Sequence, residues 1–292
     1  MKVTTNGLLS YGTEELNMEA NVVVRDEFDN VINYEFFTFS GGEEHVRIVS
    51  AVGGSDVYMV AKLRSSKAVM QMLMLNDALR RAGAASIHAF IPYMPYARQD
   101  RVCNAGEPLS VKVMADLINS CKFDSVDIMD PHSDVTGALI NNLDITDQST
   151  IFTSYFSNEL EMKPHLYTLV SPDAGATKKI GAIARAMTCS VVEASKVRDT
   201  KTGHIVSTKV PDNVTNHNCL IVDDICDGGR TFIELAKVLR AQGAKTVSLC
   251  VTHGIFSKGL SPLKEHLDHI YTTDSICTIE PDDFLTVVGV DE

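Results

Sequence analysis

Three aspartates and two glycines fall within the run Asp223-Asp224-Ile225-Cys226-Asp227-Gly228-Gly229-Arg230-Thr231. Carboxylates accept hydrogen bonds from hydroxyl groups or hold a cation, and they repel a phosphate. Glycines leading into a helix start do the reverse: they expose backbone N–H groups at the positive end of the helix dipole, which suits an anion. Hydroxyl acceptors beside an anion cradle suit a sugar phosphate. An acidic β-turn closing a strand accounts for a lone Asp-Asp-Gly-Gly string equally well, so the neighbouring elements must decide.

Those elements alternate strand and helix. Cys219–Val222 is an apolar, β-branched run with the character of a strand buried on both faces. Phe232 to Arg240 has apolar residues at helical spacing and is closed by Gly243. The expected order is strand, acidic turn, glycine loop, helix. The same rhythm occurs earlier. Leu166–Pro172 reads as a strand, and Asp173-Ala174-Gly175 opens a helix through Met187, where Asp173 could hold a metal beside an anion. Asp56–Ala61 is a strand and Lys67–Ala82 a helix, with Met70, Met72 and Met74 expected as core filler. Ser86–Pro92 delivers Tyr93-Met94-Pro95-Tyr96-Ala97-Arg98-Gln99-Asp100-Arg101. Its two prolines forbid a regular helix or central strand. A loop at a strand C-terminal end is where open α/β sheets place ligands, and Arg98 with Arg101 could clamp a polyphosphate there. A surface ion-pair cluster is the plainer reading of the two arginines. Phe39-Ser40-Gly41-Gly42-Glu43-Glu44 reads alone as a hairpin turn. Asp127–Ser133 ends a strand with Asp130 and His132. Gln148–Lys163 carries a helical pattern into the second half, and Ser190–Ala194 is a strand. Ser195–His204 is a polar, glycine-containing tract, ordinarily a hairpin tip. Thr246–Thr252 is a strand ending at His253, expected to pack.

The chain has 292 residues, 45% of them hydrophobic and 22% charged, enough for two globular domains. A net charge of −12 argues against a nucleic-acid partner, whose binding face would be basic. Seven cysteines with no C-x-x-C pair read as buried thiols of a reducing compartment rather than as a zinc or disulfide framework. No apolar leader and no run of membrane-spanning length is visible, so the expectation is a cytoplasmic protein without a membrane partner. A P-loop is excluded, since G-x-x-x-x-G-K-[ST] does not occur.

The wording of the arginine loop, Ile91-Pro92-Tyr93-Met94-Pro95-Tyr96-Ala97-Arg98-Gln99-Asp100-Arg101, resembles the signature loop of the ribose-phosphate pyrophosphokinase family. Asp223 to Thr231 resembles the ribose-phosphate loop of the phosphoribosyltransferase fold. Phe39 to Glu43 is similar to the family's Phe-x-Asp-Gly-Glu loop, with Gly41 where the family has aspartate. Asp130-x-His132 resembles its Asp-Leu-His motif, Ser171-Pro172-Asp173-Ala174-Gly175 its pyrophosphate loop, Lys196-x-Arg198 its catalytic loop, and Thr252-His253-Gly254 its Thr-His-Gly turn. The resemblance runs from about Phe39 to about Ser257, and the first 38 residues do not read like the family's usual start. After the acidic pair the family has Asp-Thr-Gly-Gly-Thr or Asp-Thr-Ala-Gly-Thr. This chain has Asp227-Gly228-Gly229-Arg230-Thr231, a hydroxyl lost and a guanidinium gained.

The resemblance implies an α/β fold of two phosphoribosyltransferase-type domains, each a mainly parallel sheet flanked by helices. Residues 1–148 would hold the ATP loops, and 149–292 the pyrophosphate, catalytic and ribose-phosphate loops, with the active site between them at strand C-terminal ends. It implies transfer of the β,γ-pyrophosphoryl group of ATP to ribose 5-phosphate. By resemblance, Phe39, Glu43, Arg98, Gln99, Arg101 and His132 bind ATP, and Asp173, Ala174 and Gly175 form the pyrophosphate loop. Asp223, Asp224, Asp227, Gly228, Gly229, Arg230 and Thr231 hold the ribose phosphate, while Lys196 and Arg198 are catalytic. Mg²⁺ would be bound by His132 and Asp173. A homo-oligomer built from dimers, up to a hexamer, is implied as well. Two further readings remain within this chemistry or fold: a 5-substituted acceptor such as ADP-ribose, suggested by Arg230, and a phosphoribosyltransferase that consumes phosphoribosyl pyrophosphate. A non-catalytic regulatory homologue is a reading of another class, against which Lys196, Arg198, His132 and Asp173 all stand.

Overall fold

The computed structural model describes residues 2–3, 9–10, 21–156, 167–173, 176–198 and 205–290; side chains at 2–3, 9–10, 178, 196–198 and 205–208 lie outside that description. The chain divides into two compact units, Met1–Thr146 with Val290–Glu292, and Asp147–Gly289.

The first unit is organised by a five-stranded sheet in the order Val22–Asp26, Asp56–Ala61, Ser86–Ile91, Ser125–Met129, Leu143–Thr146. Val22–Asp26 runs antiparallel to its neighbour and every other pair is parallel. Val57, Met59, Ile87, Ala89, Ile91, Val126 and Ile128 form one core with Met72, Leu75 and Leu79 of the helix Ser66–Arg81 and with Val111, Met114 and Ile118 of the helix Ser110–Ser120. The helix Ser66–Arg81 starts where the Ser65 hydroxyl accepts from the Ala68 N–H at 3.1 Å, an N-cap that satisfies one orphan donor. It stops at Gly83, whose φ of 91° is left-handed and whose N–H donates to the Arg80 carbonyl, a C-terminal reversal that favours glycine. The methionines correct the sequence reading. Met72 is fully buried, but Met70 and Met74 are 41% and 37% exposed. Positions 68, 72, 75 and 79 share one helical stripe, and the pair 70 and 74, one turn apart, lies on another.

The second unit carries a six-stranded, wholly parallel sheet in the order Ser190–Glu193, Tyr167–Ser171, Asn218–Cys226, Thr246–Gly254, His269–Thr273, Leu285–Val288. Its flanking helices include Thr177–Met187 and Arg230–Ala241. The long central strands read as near-continuous apolar runs because both faces are covered. Val247, Leu249 and Val251 are fully buried and join Phe232, Leu235 and Leu239 in the core. The entry helix opens as Gln148–Ile151 and continues as a π-helical turn, Phe152–Phe156, that buries both phenylalanines. The remainder of that pattern, 157–163, lies outside the described residues.

All seven cysteines are free. Five are buried, while Cys103 is exposed and Cys189 half-buried, against the expectation that all would be interior. Among the described residues no helix is long and apolar enough to cross a membrane.

Candidate active site

The acidic pair sits inside a strand, not in a turn after it. Asn218–Cys226 is nine residues long and stays in register with Thr246–Gly254 through Cys226 opposite Gly254. The strand therefore carries Asp223 and Asp224 within its C-terminal half, and the turn begins only at Asp227. The Asp224 N–H donates to Asp223 Oδ1 at 3.0 Å and the Ile225 N–H to Asp224 Oδ1 at 2.8 Å, which fixes both carboxylates locally. Burial pushes the Asp223 carboxyl up to about 8, with the Asp224 and Asp173 carboxylates adding to the rise. The nearby Cys226 thiol goes up to about 12, first by burial and then by Asp223 and Asp227. Like charges gathered away from water destabilise their own ionised forms. Such a cluster is poised to receive hydroxyl donors or a cation.

Beyond the strand the chain turns at Gly229, with φ of 74°. A Cβ there would stand 2.7 Å from Leu263 Cδ2, so both backbone and packing require glycine. Gly229 is also the N-cap of Arg230–Ala241, and no side chain caps the helix. The first helical N–H groups are thus left for a ligand or solvent. Arg230 is exposed at the first helical position.

Asp173 reaches the same strand ends from the neighbouring strand. Val170 pairs with Ile221 in parallel register, so Asp173 and Asp223 leave adjacent strands at one sheet edge. Its backbone carbonyl accepts from Ser171 Oγ at 2.7 Å, and its Oδ1 from the Ala176 N–H at 3.3 Å. Ala174 and Gly175, expected in the pyrophosphate loop, lie outside the described residues. Lys196 and Arg198 belong to the strand Ser195–Arg198, paired antiparallel with Ile205–Lys209 with a register shift at Val197/Arg198. The cations expected on a loop therefore ride one arm of a hairpin; residues 199–204 lie outside the described residues.

In the first unit the arginine loop follows Ser86–Ile91. Met94 and Ala97 are 1% and 2% exposed and anchor the loop in the core. Between them the chain folds back through Tyr96, with φ of 62°, and the Gln99 N–H closes onto the Tyr96 carbonyl at 2.9 Å. Arg98, Gln99 and Arg101 are left exposed. Arg101 Nε lies 3.9 Å from Asp100 Oδ1, a loose surface pair of small worth. Ile91 is registered with Ile128 on the next strand, so His132 emerges at the same sheet edge. It does so by way of Asp130, nearly fully buried with φ of 36°, a sparsely populated conformation for a residue with a Cβ.

Phe39–Glu43 forms the tip of the hairpin Tyr34–Thr38 and Glu44–Ile48. Phe39 is 52% exposed and packs against Phe37 and His45 at centroid distances of 5.3 and 5.4 Å. The neighbouring acids have separate tasks. Glu44 ties the hairpin to the helix through Lys67 (3.2 Å) and Gln71 (3.2 Å), and Glu43 stays exposed. A Cβ at Gly41 would stand 2.6 Å from Glu43 Oε2, so the Glu43 carboxylate already fills the space beside that glycine.

Gln148 escaped sequence reasoning. It is buried, and its Nε2 donates to the Asp223 carbonyl at 2.7 Å, bracing the acidic strand from 75 positions away; no local pattern could signal it. His253 behaves as a packing residue, 1% exposed and bonded through Nδ1 to Ser275 Oγ at 2.8 Å.

Carboxylate oxygens are the donors a hard cation such as Mg²⁺ prefers, and the mutual repulsion around Asp223 is relieved by a positive ion. Among the described residues no three His, Cys, Asp or Glu side chains are grouped to enclose a metal. Mg²⁺ does not require such a cage, because it ordinarily binds one or two carboxylates together with phosphates and waters. The donor set fits it.

A parallel sheet that gathers carboxylates and a glycine-opened helix at one edge defines a protein of the phosphoribosyltransferase-type α/β class. Residues 12–121 match the N-terminal domain of ribose phosphate pyrophosphokinase and residues 149–292 the phosphoribosyl transferase domain. The chain belongs to the ribose-phosphate pyrophosphokinase family, enzymes that transfer diphosphate. The ribose-phosphate pyrophosphokinase of Mycoplasma pneumoniae is 33% identical over 285 residues, covering 93% of this chain and 81% of that protein. That of Corynebacterium efficiens is 31% identical over 267 residues, covering 88% and 81%. Phosphoribosylpyrophosphate synthetase from Mycobacterium smegmatis is a similar solved structure, with a TM-score of 0.77 and 27% identity over 90% of this chain and 87% of that one.

Proposed function

We propose that the protein transfers the β,γ-pyrophosphoryl group of ATP to the anomeric hydroxyl of ribose 5-phosphate. The anomeric oxygen bonds to the β-phosphorus as the bond from that phosphorus to the α,β-bridging oxygen breaks. AMP leaves, phosphoribosyl pyrophosphate remains, and the hydroxyl proton passes to solvent. The observation that carries this reading is the junction of Asp223, Asp224 and Asp227 with the uncapped helix start at Arg230. It pairs hydroxyl acceptors with an anion cradle, on a chain whose family makes this transfer.

Asp223 and Asp224 would accept the ribose hydroxyls, and Gly228 to Thr231 would hold the 5-phosphate. Arg98, Gln99 and Arg101 would bind the ATP phosphates, and Phe39 would stack on adenine beside Glu43. Lys196 and Arg198 would neutralise charge gathering on the transferred group. Such catalysis is positioning and electrostatics rather than covalent chemistry. Mg²⁺ held by Asp173 and His132 would supply charge neutralisation on the phosphates when bound. By its family resemblance the protein would form a homo-oligomer built from dimers, up to a hexamer, and the exposed rings Phe37 and Phe39 would let this hairpin serve a neighbouring subunit. Seven free cysteines support a reducing, cytoplasmic setting.

The purified protein with ATP and Mg²⁺ should release AMP on addition of ribose 5-phosphate and not of ADP-ribose, followed by chromatography with Lys196→Ala as control. AMP from ADP-ribose alone would overturn the acceptor. AMP from neither would overturn the reaction.

A further inference from the structure

Beside the ribose-phosphate loop stands a cation that the proposed chemistry has not used. The segment after the strand Thr246–Gly254 is tied back to that loop: the Ile255 and Phe256 N–H groups both donate to the Cys226 carbonyl, at 2.8 and 3.1 Å. Phe256 then turns the chain with φ of 48°, and Gly259 closes the turn onto the Phe256 carbonyl at 2.8 Å. The turn has a local cause. A Cβ at Gly254 would stand 2.3 Å from Phe256 Cε2, so glycine there makes room for the buried ring. The consequence lies two residues further on. The stem of Lys258 runs along Gly228, with Cε, Cδ and Cγ at 3.5, 3.6 and 3.8 Å from where a Cβ would sit. Its ammonium, one bond beyond Cε, therefore stays beside the loop. Lys258 is exposed and forms no ion pair among the described residues. Arg230, also exposed, opens the helix on the same loop and forms none either.

We propose that Lys258, together with Arg230, reads the charge on the 5-carbon of the acceptor and so determines specificity for a 5-phosphorylated sugar. This rests on the reading of Asp223 to Thr231 as the acceptor's loop. A cation on a lysine stem supplies a point charge to a phosphate without the fixed fork of a guanidinium. The two cations thus complement the backbone N–H groups rather than duplicate them.

The test is calorimetric titration of the full-length protein with ribose 5-phosphate and with unphosphorylated ribose, on wild type, Lys258→Met and Lys258→Arg. Methionine keeps much of the stem and removes the charge; arginine restores the charge. Lys258→Met should bind ribose 5-phosphate about 10- to 100-fold more weakly, and Lys258→Arg should recover most of that loss. Any affinity for unphosphorylated ribose should not move. In turnover the loss should fall on the KM for ribose 5-phosphate and not on the KM for ATP. Equal binding by wild type and Lys258→Met overturns the proposal, as does an equal loss for the two sugars or a wild type that binds no ribose 5-phosphate. A wild type that binds ribose 5-phosphate yet releases no AMP refutes the reaction and leaves Lys258 to be judged by the titration alone.

Discussion

The arginine loop and the acidic strand end assign opposite signs of charge to opposite environments. Arg98 and Arg101 stand in solvent on a loop whose hydrophobic residues do the anchoring. Asp223 is carried in a central strand, where burial and two neighbouring carboxylates raise its pKa to about 8. Exposed cations cost the fold little, whereas clustered buried acids cost it stability until a ligand arrives. A single-site change in the two regions should therefore affect activity alike, leaving stability nearly unchanged in the first and raising it in the second.

Arg98→Ala and Asp223→Asn should each reduce turnover by roughly 10²- to 10³-fold, by analogy with the loss of one oxyanion donor. Thermal melts of the ligand-free proteins should then separate them. Arg98→Ala should leave stability within about 0.5 kcal/mol, as surface substitutions do. Asp223→Asn should stabilise the protein at pH 7.5, because an amide keeps the shape and spares the proton uptake that burial and the neighbouring carboxylates force on the acid when the chain folds. A destabilised Asp223→Asn would break the comparison.

Next in size is the loop's anchor. Met94→Ala removes a fully buried side chain and should cost about 2–3 kcal/mol, read by urea denaturation, although Met94 carries no charge and no chemistry. Gly229→Ala should cost about 1–2 kcal/mol from its left-handed backbone, plus whatever Leu263 must yield. Crystallography of that variant should find Leu263 moved. An unshifted Leu263 with unchanged stability would show that the loop does not need glycine there.

Much of this was legible in the chain. The strands, most helices and both loops follow from periodicity and from Gly and Pro punctuation, since each is a local property. Three misses have a common cause. Asp223 and Asp224 look like the start of a turn, yet pairing with Thr246–Gly254 extends the strand through them, a decision taken by a neighbour in space. Met70 and Met74 look like core because methionine is apolar, but the sheet covers only one side of their helix. Gln148 and Lys258 touch Asp223 and Gly228 from 75 and 30 positions away, distances at which composition carries no signal. Family resemblance marked the residues proposed to meet ligand, and only folding showed the ones that brace or flank them.

The smallest expected effect is also the most direct measure of the charge held in the acidic strand end. A carboxyl whose pKa is raised by folding binds more protons in the folded than in the unfolded state, so its contribution favours folding at low pH and is lost as pH rises. For Asp223 the window runs from its ordinary 3.8 to about 8. Asp127 gives a weaker version in the first unit, raised to about 6 by burial and by Asp144, its partner on the next strand. From these groups alone, ligand-free stability should fall as pH rises from 5 to 8. Asp223→Asn should remove most of that fall. Asp127→Asn should remove a smaller part, ending near pH 6. Adding Mg²⁺ with ribose 5-phosphate should flatten the Asp223 component and leave the Asp127 component in place. If ligand flattened both equally, the two pairs would share one electrostatic site, and the contrast between a ligand-relieved cluster and a purely structural one would fail.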